Sequence, residues 1–157
     1  MRQDKKVTSD SLKIRKYISR DKKGVIRLLE MNTPRYFAES EKVDFDKYLD
    51  EKVEDYFVVE SNNKIIGAGG INYFLPDKIA RISWDMIHPN HQNKGIGREL
   101  VQHRLSLLNQ KNDIESIVVR TTQHVQLFYS KMNFNLTKVE KNYWAEGFDL
   151  YYMEQDN

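Results

Sequence analysis

The sequence predicts a single mixed α/β domain over residues 1–157, because strand and helix patterns alternate along the chain with no linker between them. Strands are indicated by alternating or β-branched apolar residues, and helices by apolar residues at helical spacing. Only three prolines occur, and no internal repeat or low-complexity tract interrupts the alternation. A chain of 157 residues with 39% hydrophobic residues can bury one core and leaves little room for a second.

The elements follow in a defined order along the chain. The first strand is expected over 12–18, followed by a helix capped by Ser19, Arg20 or Asp21 that ends before Pro34, and by a helix over 45–53. The clearest hairpin joins 56–60 to 64–71 through a Ser-Asn-Asn turn at 61–63. The remaining expectations are strands over 79–87, 114–121, 136–140 and 149–153, and helices over 97–109 and 123–132. The helix over 97–109 carries a predicted apolar face of Leu100, Val101, Leu105, Leu107 and Leu108.

Charge and composition exclude several classes of protein. A formal net charge of +2 is far from the balance of a dedicated nucleic-acid binder, so no nucleic-acid partner is predicted. The absence of cysteine excludes disulfides, thiolate metal sites and a cysteine nucleophile. No apolar run is long enough for a bilayer, and no signal-peptide core occurs near the start. We therefore expect a cytoplasmic protein without a membrane partner.

The stretch from His88 to Leu100 has the features of an anion-binding loop. It lies between a predicted strand and an amphipathic helix, and its two glycines, Gly95 and Gly97, let a backbone approach a ligand closely. The first N–H groups of the following helix point outward at the positive end of its dipole, which suits a pyrophosphate. Lys94 and Arg98 add positive charge at the same place.

This loop resembles the acyl-CoA-binding motif of the GNAT (Gcn5-related) N-acetyltransferases, Gln/Arg-x-x-Gly-x-Gly/Ala, which Gln92-Asn93-Lys94-Gly95-Ile96-Gly97 matches in full. A second segment is similar to the companion motif of that family, since the strand 117–120 is followed by Leu127-Phe128-Tyr129-Ser130-Lys131-Met132-Asn133-Phe134. The residues Ile82 to Pro89 look like the fourth strand running into the loop. The resemblance covers residues 12 to 154.

The resemblance implies a twisted mixed sheet of about six to seven strands, with helices on both faces and with the fourth and fifth strands splayed apart. It implies acetyl-CoA as co-substrate and no metal. The pantetheine arm of acetyl-CoA would pair with backbone groups near Met86, Ile87 and His88, and the pyrophosphate of acetyl-CoA would lie on the N–H groups of Asn93 to Arg98. An N–H near Ile87 would stabilise the oxyanion. Gln123 stands where the family often has an asparagine, and is expected at the cofactor.

The reaction needs proton transfer, because an alkyl ammonium with a pKa near 10 is only about one part in a thousand deprotonated at pH 7. Tyr129 aligns with the general acid of the family, and the alternative is a core aromatic beside Phe128. Asp85 is the nearest carboxylate for a general base, and the alternative is a side chain bonded to a neighbouring strand or loop. His88 is a further candidate for a proton relay, although His-Pro is typical of a structural turn.

Several features bear on the acceptor, for which a cationic amine of a small molecule or peptide is predicted. The acidic run from Glu39 to Asp55 is either solvated surface or a lip that concentrates a cationic acceptor. Tyr36 and Phe37 are placed to cover the acceptor, and Tyr143 and Trp144 either wall it or pack at a sheet edge. The glycines of 67–70 admit a substrate or mark a bulge. His88 and His91 lack a third ligand, so no metal site is predicted.

Two functions from different classes remain open at this point. The first is an N-acetyltransferase that moves acetyl from acetyl-CoA to a primary amine by direct attack in a ternary complex. The second is a non-catalytic acyl-CoA-binding sensor or interaction module on the same fold, which the absence of a matching glutamate favours. The chain is expected to act as a monomer or a homodimer.

Overall fold

A seven-stranded mixed sheet organises the chain in a computed structural model that describes residues 12–157. The strands are β1 (Leu12–Lys16), β2 (Asp55–Ser61), β3 (Lys64–Phe74), β4 (Ile79–Ile87), β5 (Ser116–Thr121), β6 (Asn135–Ala145) and β7 (Phe148–Asp156). The helices are α1 (Lys22–Met31), α2 (Glu41–Glu51), α3 (Ile96–Leu108) and α4 (Gln126–Lys131). The predicted mixed α/β class is confirmed.

The order of the strands across the sheet is β1-β2-β3-β4-β5-β7-β6. β4 and β5 run parallel, and the other neighbouring pairs are antiparallel. A parallel pair needs a crossover connection, which α3 supplies between β4 and β5. No helix within residues 12–157 combines the length and the apolar character that crossing a bilayer requires.

Each face of the sheet carries its own apolar core. Val25, Leu28 and Leu29 of α1 and Phe45 of α2 pack against one face, with Val58 and Met86 from the strands. Leu100 and Val101 of α3 and Tyr129 of α4 pack against the other, with Ile82, Ile117 and Val119. Helices therefore cover both faces, as the resemblance implied, and the site lies where these layers meet at the centre of the sheet.

The predicted hairpin between β2 and β3 is confirmed. Ser61 pairs with Lys64, and the two residues between them, Asn62 and Asn63, have φ values of 51° and 63°. Two successive left-handed residues are the requirement of the tight hairpin turn whose twist matches that of the strands, and asparagine tolerates that conformation.

Three helices differ from the prediction in their boundaries or faces. α2 begins at Glu41 rather than at 45, because the Glu41 carboxylate accepts a hydrogen bond of 2.8 Å from Ala38 N and starts the helix before its first buried aromatic residue. α4 begins at Gln126 rather than at 123, since a turn closed by the bond from Val125 N to Thr122 O precedes it. In α3, the predicted burial of Leu107 is wrong: Leu107 is 37% exposed, and Arg104 is fully buried.

Candidate active site

A cleft opens in the sheet where β4 and β5 separate. The two strands pair only over Ile79–Ile82 and Ser116–Val119, although β4 continues to Ile87 and β5 to Thr121. The cleft has a volume of about 880 Å³ and is lined from both strands, from α2 and from the start of α3. The splayed pair that the resemblance implied is therefore present, and it leaves the facing edges of the two strands unpaired beyond their common root.

A bulge in β4 turns its last residues relative to the rest of the strand. Gly70 pairs with Ser83 and Ala68 with Met86, so that Gly69 faces two residues, Trp84 and Asp85. Trp84 has a φ of 54°, and its carbonyl accepts a bond of 2.9 Å from Tyr56 Oη. Of the two roles predicted for the glycines of 67–70, admitting a substrate or marking a bulge, this geometry corresponds to the bulge.

Position 69 has room only for a glycine, because Asp85 and Arg104 lie directly against it. A Cβ at this position would collide with Asp85 Oδ1 and lie 2.9 Å from Arg104 Nη1. The missing side chain therefore leaves space for an ion pair inside the sheet.

Ile87 directs its backbone groups into the cleft. His88 N donates to Ile66 O at 2.8 Å, and the next position of the ladder pairs Ile87 with Gly67. Because successive residues of an antiparallel ladder point their backbone groups alternately to either side, the Ile87 N–H faces away from β3. The Ile87 carbonyl also faces away from β3, since its oxygen accepts hydrogen bonds of 3.0 Å from Asn32 Nδ2 and from Gln92 Nε2.

The N-terminus of α3 forms the second wall of the cleft. Gly95 precedes the helix with a φ of 83°, and the first bond within the helix runs from Glu99 N to Gly95 O at 3.0 Å. The N–H groups of Ile96, Gly97 and Arg98 therefore have no acceptor within the helix. An added Cβ at Gly95 would meet no atom within 4 Å, so the approach to these donors is open.

The other predicted loop residues fall into two groups. Asn93 and Arg98 line the cleft, whereas Lys94 is exposed outside it and the Ile96 side chain is buried in the core. Gln92 lines the cleft, but its amide nitrogen is bonded to Asn32 Oδ1 at 2.8 Å as well as to Ile87 O. Gln92 therefore ties the loop to the end of β4.

Asp85, Arg104 and Tyr129 form one hydrogen-bonded group at the floor of the cleft. Arg104 Nη1 donates to Asp85 Oδ1 at 2.5 Å, and Tyr129 Oη donates to Asp85 Oδ2 at 2.7 Å. Arg104 also donates to Leu100 O and Gly70 O, which fixes its guanidinium in place. The Asp85 side chain keeps 18% exposure while that of Arg104 has none, so the carboxylate is the member that reaches the cleft.

The surroundings set the charge state of this group. Burial, the charge of Asp85 and the hydrogen bond to Asp85 together raise the pKa of Tyr129 well above its ordinary value. Burial opposes the charge on Arg104, but the charge and hydrogen bond of Asp85 outweigh it and raise the pKa of Arg104. Arg104 is therefore a cation and Tyr129 a neutral phenol. The ring of Tyr129 packs edge-on against Phe128 and Phe134, so its ring belongs to the core while its hydroxyl borders the cleft.

Aromatic side chains line the α2 side of the cleft. Trp84 stacks with Phe37 at a centroid distance of 6.2 Å and lies 6.0 Å from Tyr48. Tyr36 also lines this side, and Trp144 lines it from β6, donating to Thr121 O at 3.2 Å. Tyr143 is 44% exposed and lies outside the cleft.

The acidic run does not form a continuous lip. Only Glu41 and Asp44 of the run line the cleft, and Glu41 is occupied with Ala38 N. Asp46 and Asp50 bind Lys22 at 3.1 Å and 2.8 Å, on the side of α2 that faces α1. Lys47 and Lys52 line the cleft from the same segment, so its local charge is mixed.

Two predicted residues have their side chains engaged elsewhere. Gln123 donates to Gly147 O at 3.0 Å and accepts from Asp149 N at 3.0 Å, so its amide joins the β6–β7 turn and does not line the cleft. His88 accepts a hydrogen bond of 3.1 Å from Asn90 N. Of the two roles considered for His88, a proton relay and a structural turn, this bond corresponds to the turn.

Comparisons with known proteins agree with this geometry. Residues 52–136 match the family model described as an acetyltransferase (GNAT) domain. An N-alpha-acetyltransferase of Sulfolobus acidocaldarius is 25% identical over 147 residues, covering 80% of this chain and 78% of that protein. An amino-acid acetyltransferase of Buchnera aphidicola is 28% identical over 92 residues, which cover 59% of this chain and only 20% of that protein.

The fold also matches a solved structure that carries a coenzyme A analogue. Arabidopsis thaliana Naa50 in complex with the bisubstrate analogue CoA-Ac-MVNAL superposes with a TM-score of 0.72 at 17% identity, covering 92% of this chain and 98% of that chain. The family model spans more than half of the sequence. The chain therefore belongs to the GNAT acetyltransferase domain family, and the enzyme class predicted from its sequence, an acetyltransferase, is confirmed.

Proposed function

We propose that the chain moves the acetyl group of acetyl-CoA to a primary amine by direct attack in a ternary complex. The observation that carries the proposal is the shared cleft, along which the α3 N-terminus, the Ile87 N–H and the Asp85–Tyr129 pair lie together. One sheet that runs from residue 12 to residue 156 supports a single catalytic domain.

The backbone of the cleft fits coenzyme A at two places. The N–H groups of Ile96, Gly97 and Arg98 are directed outward at the positive end of α3, which suits a pyrophosphate. Among the residues expected to pair with the pantetheine, Ile87 has its N–H on the open side, whereas the N–H of His88 is already used by β3. The Ile87 N–H is therefore the donor that we assign to the carbonyl oxygen as negative charge develops on it.

Asp85 is placed to take the proton of the amine. When bound, acetyl-CoA supplies a thioester carbon that a neutral amine can attack. The acceptor arrives as an ammonium ion, and Asp85 is a carboxylate at the floor of the cleft that remains 18% exposed. Each carboxylate oxygen has two acceptor positions, so Asp85 can accept from the amine while it holds Arg104 and Tyr129.

Tyr129 completes the proton balance. Its pKa is raised by burial and by Asp85, so it cannot readily give its proton to a sulfur whose thiol has a pKa near 8.5 while Asp85 is charged. Once Asp85 carries the proton from the amine, the 2.7 Å bond lets that proton pass to Tyr129 as the Tyr129 proton moves to the leaving sulfur. The C–N bond forms, the C–S bond breaks and the sulfur leaves as a thiol, while the second proton that the ammonium nitrogen loses passes to solvent.

The engagement of Asp85 also favours the second function, a sensor that binds acyl-CoA without transfer. Both oxygens of Asp85 are already bonded, one to Arg104 and one to Tyr129, so an amine must compete with these two donors for the same oxygens.

An amine panel assayed for CoA-thiol release, together with calorimetry of acetyl-CoA binding, separates the two functions. We expect at least one amine to release CoA, and we expect the Asp85→Asn variant to bind acetyl-CoA as the parent does while its kcat falls by about 10²-fold or more. Binding without release across the panel would leave the sensor as the function. Absence of acetyl-CoA binding to the folded parent would contradict both.

A further inference from the structure

Two arginines line the α2 side of the cleft, away from the loop assigned to coenzyme A. Arg81 lies on β4 and Arg120 on β5, and both are half-buried. Arg81 pairs with Val118 in the parallel register, and Arg120 lies two residues beyond Val118. Because alternate residues of a strand share a face, both side chains lie on the same face of the sheet, near the root of the opening.

Aromatic rings, not carboxylates, hold these two guanidinium groups. The Cζ atom of Arg81 lies 4.7 Å from the ring centroid of Phe74. That of Arg120 lies 5.2 Å from both Tyr143 and Trp144, and its Nη2 donates to Tyr143 Oη at 2.5 Å. Within residues 12–157, neither arginine has a carboxylate oxygen within 4.0 Å. Ring stacking fixes the direction of a guanidinium, and it leaves the N–H groups of Arg81 and the remaining N–H groups of Arg120 available to a ligand.

The surroundings of Arg81 act against its charge. Burial, and then the charge of Arg120, lower the pKa of Arg81. Lys47 and Lys52 line the same side of the cleft. The acidic side chains that line the cleft are Glu41, Asp44 and Asp85, and Glu154 of β7 lies opposite Val118 in the ladder. None of these four forms an ion pair with Arg81 or Arg120.

A buried hydroxyl on this side also lacks a partner. Tyr48 is 5% exposed and lines the cleft, and its Oη has no hydrogen-bond partner among the described residues. A buried hydroxyl without a partner adds an unused donor to those of the two arginines on this side of the cleft.

We propose that Arg81 and Arg120 bind a carboxylate of the acceptor, so that the preferred substrate is an amine that also carries an acidic group. The assignment rests on the proposed acetyl transfer and names the class of acceptor for that same site. Two guanidinium forks match the planar geometry of a carboxylate, and their location opposite the α3 N-terminus separates them from the phosphates of coenzyme A. The carboxylate belongs either to a free amino acid or to an acidic side chain near the amine of a peptide.

Matched pairs of acceptors test this assignment, with kcat/KM measured from CoA-thiol release. The first arm compares β-alanine and ε-aminocaproate with their carboxamides. The second compares an amidated peptide that carries Glu at its second position with the same peptide carrying Gln, so that the arms distinguish the two sources of the carboxylate. We expect the acid of at least one pair to be favoured by about 10- to 100-fold, the usual worth of charge-assisted hydrogen bonds.

The variants Arg81→Gln and Arg120→Gln should remove that preference by raising KM for the acid, while kcat/KM for the carboxamide and KM for acetyl-CoA stay unchanged. Arg120→Lys, which keeps the charge but not the fork, should keep part of the preference. Arg35→Gln is the matched control, since Arg35 also lies over a tyrosine ring, that of Tyr36 at 5.0 Å, but is exposed outside the cleft. Circular dichroism checks the fold of each variant.

Several results would overturn the inference. Equal use of acids and carboxamides, or a preference that survives in the double glutamine variant, would remove the carboxylate site. A rise in KM for acetyl-CoA alone would assign the arginines to the cofactor. Stronger use of O-phosphoethanolamine than of every acid would replace the carboxylate by a phosphate. Acetyl-CoA binding with no amine of any kind acetylated would instead overturn the proposed transfer, and this inference with it.

Discussion

Tyr129 combines a core ring with a hydroxyl that borders the cleft, and a single substitution separates these two properties. Tyr129→Phe keeps the packing against Phe128 and Phe134 and removes the donor to Asp85. We expect kcat to fall by about 10²-fold, because the leaving sulfur loses its proton source. The dissociation constant for acetyl-CoA should stay within about twofold, since backbone groups carry that binding.

Stopped-flow measurement under conditions where chemistry limits the rate gives kcat, and Tyr151→Phe, outside the cleft, is the control. Parent-like kcat in Tyr129→Phe would return Tyr129 to a packing role.

Arg104 stabilises the charge of Asp85 from inside the core. Arg104→Met removes a fully buried cation and leaves its partner carboxylate uncompensated, so we expect a loss of about 3 kcal/mol in the free energy of unfolding. Adding Asp85→Asn removes the stranded charge and should recover about 1 kcal/mol or more of that loss. Urea unfolding at neutral pH measures both quantities. Additive effects of the two substitutions would mean that the ion pair contributes nothing of its own.

The sequence predicted two members of the hydrogen-bonded group, Asp85 and Tyr129, and missed the third, Arg104. The location of Asp85 at the cleft was predictable from its place on β4, and that of Tyr129 from the motif that resembles the GNAT family. Arg104 was not, because an arginine at a helix position reads as solvated surface until its partner across the sheet is known. The signal was present in its spacing, since Arg104 continues the run of buried residues Leu100, Val101 and Leu108. Leu107, assigned to the buried face on hydrophobicity alone, is exposed.

At the scale of elements, the N-terminus of α3 should decide cofactor binding. Gly97→Glu places a carboxylate beside the outward N–H groups, where it would repel and displace a pyrophosphate, so acetyl-CoA binding should be lost. An added Cβ at this position lies 3.4 Å from the Phe128 ring, which is ordinary contact, so Gly97→Ala should fold and keep affinity within a few fold. Calorimetric titration of both variants provides the comparison. Undiminished affinity in a folded Gly97→Glu protein would place the pyrophosphate elsewhere.

Elements with local signals were predicted better than those defined by distant partners. The Asn62–Asn63 turn fixes the β2–β3 hairpin through its own backbone preference, and β4 has the predicted bounds 79–87. The start of α2 depends on the contact between Glu41 and Ala38 N, which no apolar pattern reports. The two readings of the acidic run, solvated surface and lip, could not be separated for the same reason, since only the packing of α2 on α1 shows that Asp46 and Asp50 bind Lys22.

At the scale of the whole molecule, the sheet consists of two parts that meet along a short seam. β1 to β4 form one part and β5 to β7 the other, and the four register positions from Ile79 to Ile82 join them. Beyond that seam, β4 has a ladder partner on its β3 side alone among residues 12–157. A ligand that pairs with the open edge would connect the two parts, and binding to the folded state alone would stabilise the domain. Such a ligand would link the chemistry and the stability of this fold through one strand edge.

Hydrogen exchange at the Ile87 amide measures whether a bound cofactor pairs with the open edge of β4. This amide faces the open side of β4, whereas the neighbouring His88 amide is already bonded to Ile66 O at 2.8 Å. We expect saturating acetyl-CoA without acceptor to slow hydrogen exchange at Ile87 by at least about 10-fold, because a hydrogen-bonded amide exchanges only after local opening. The His88 amide should change much less, and it provides an internal control one residue away. Exchange followed residue by residue by NMR distinguishes the two amides, and Gly97→Glu, which should not bind the cofactor, should show neither change. If Ile87 exchanged at the same rate with and without bound acetyl-CoA, its N–H would not be the donor to the cofactor, and the oxyanion contact assigned to it would have to come from another group in the cleft.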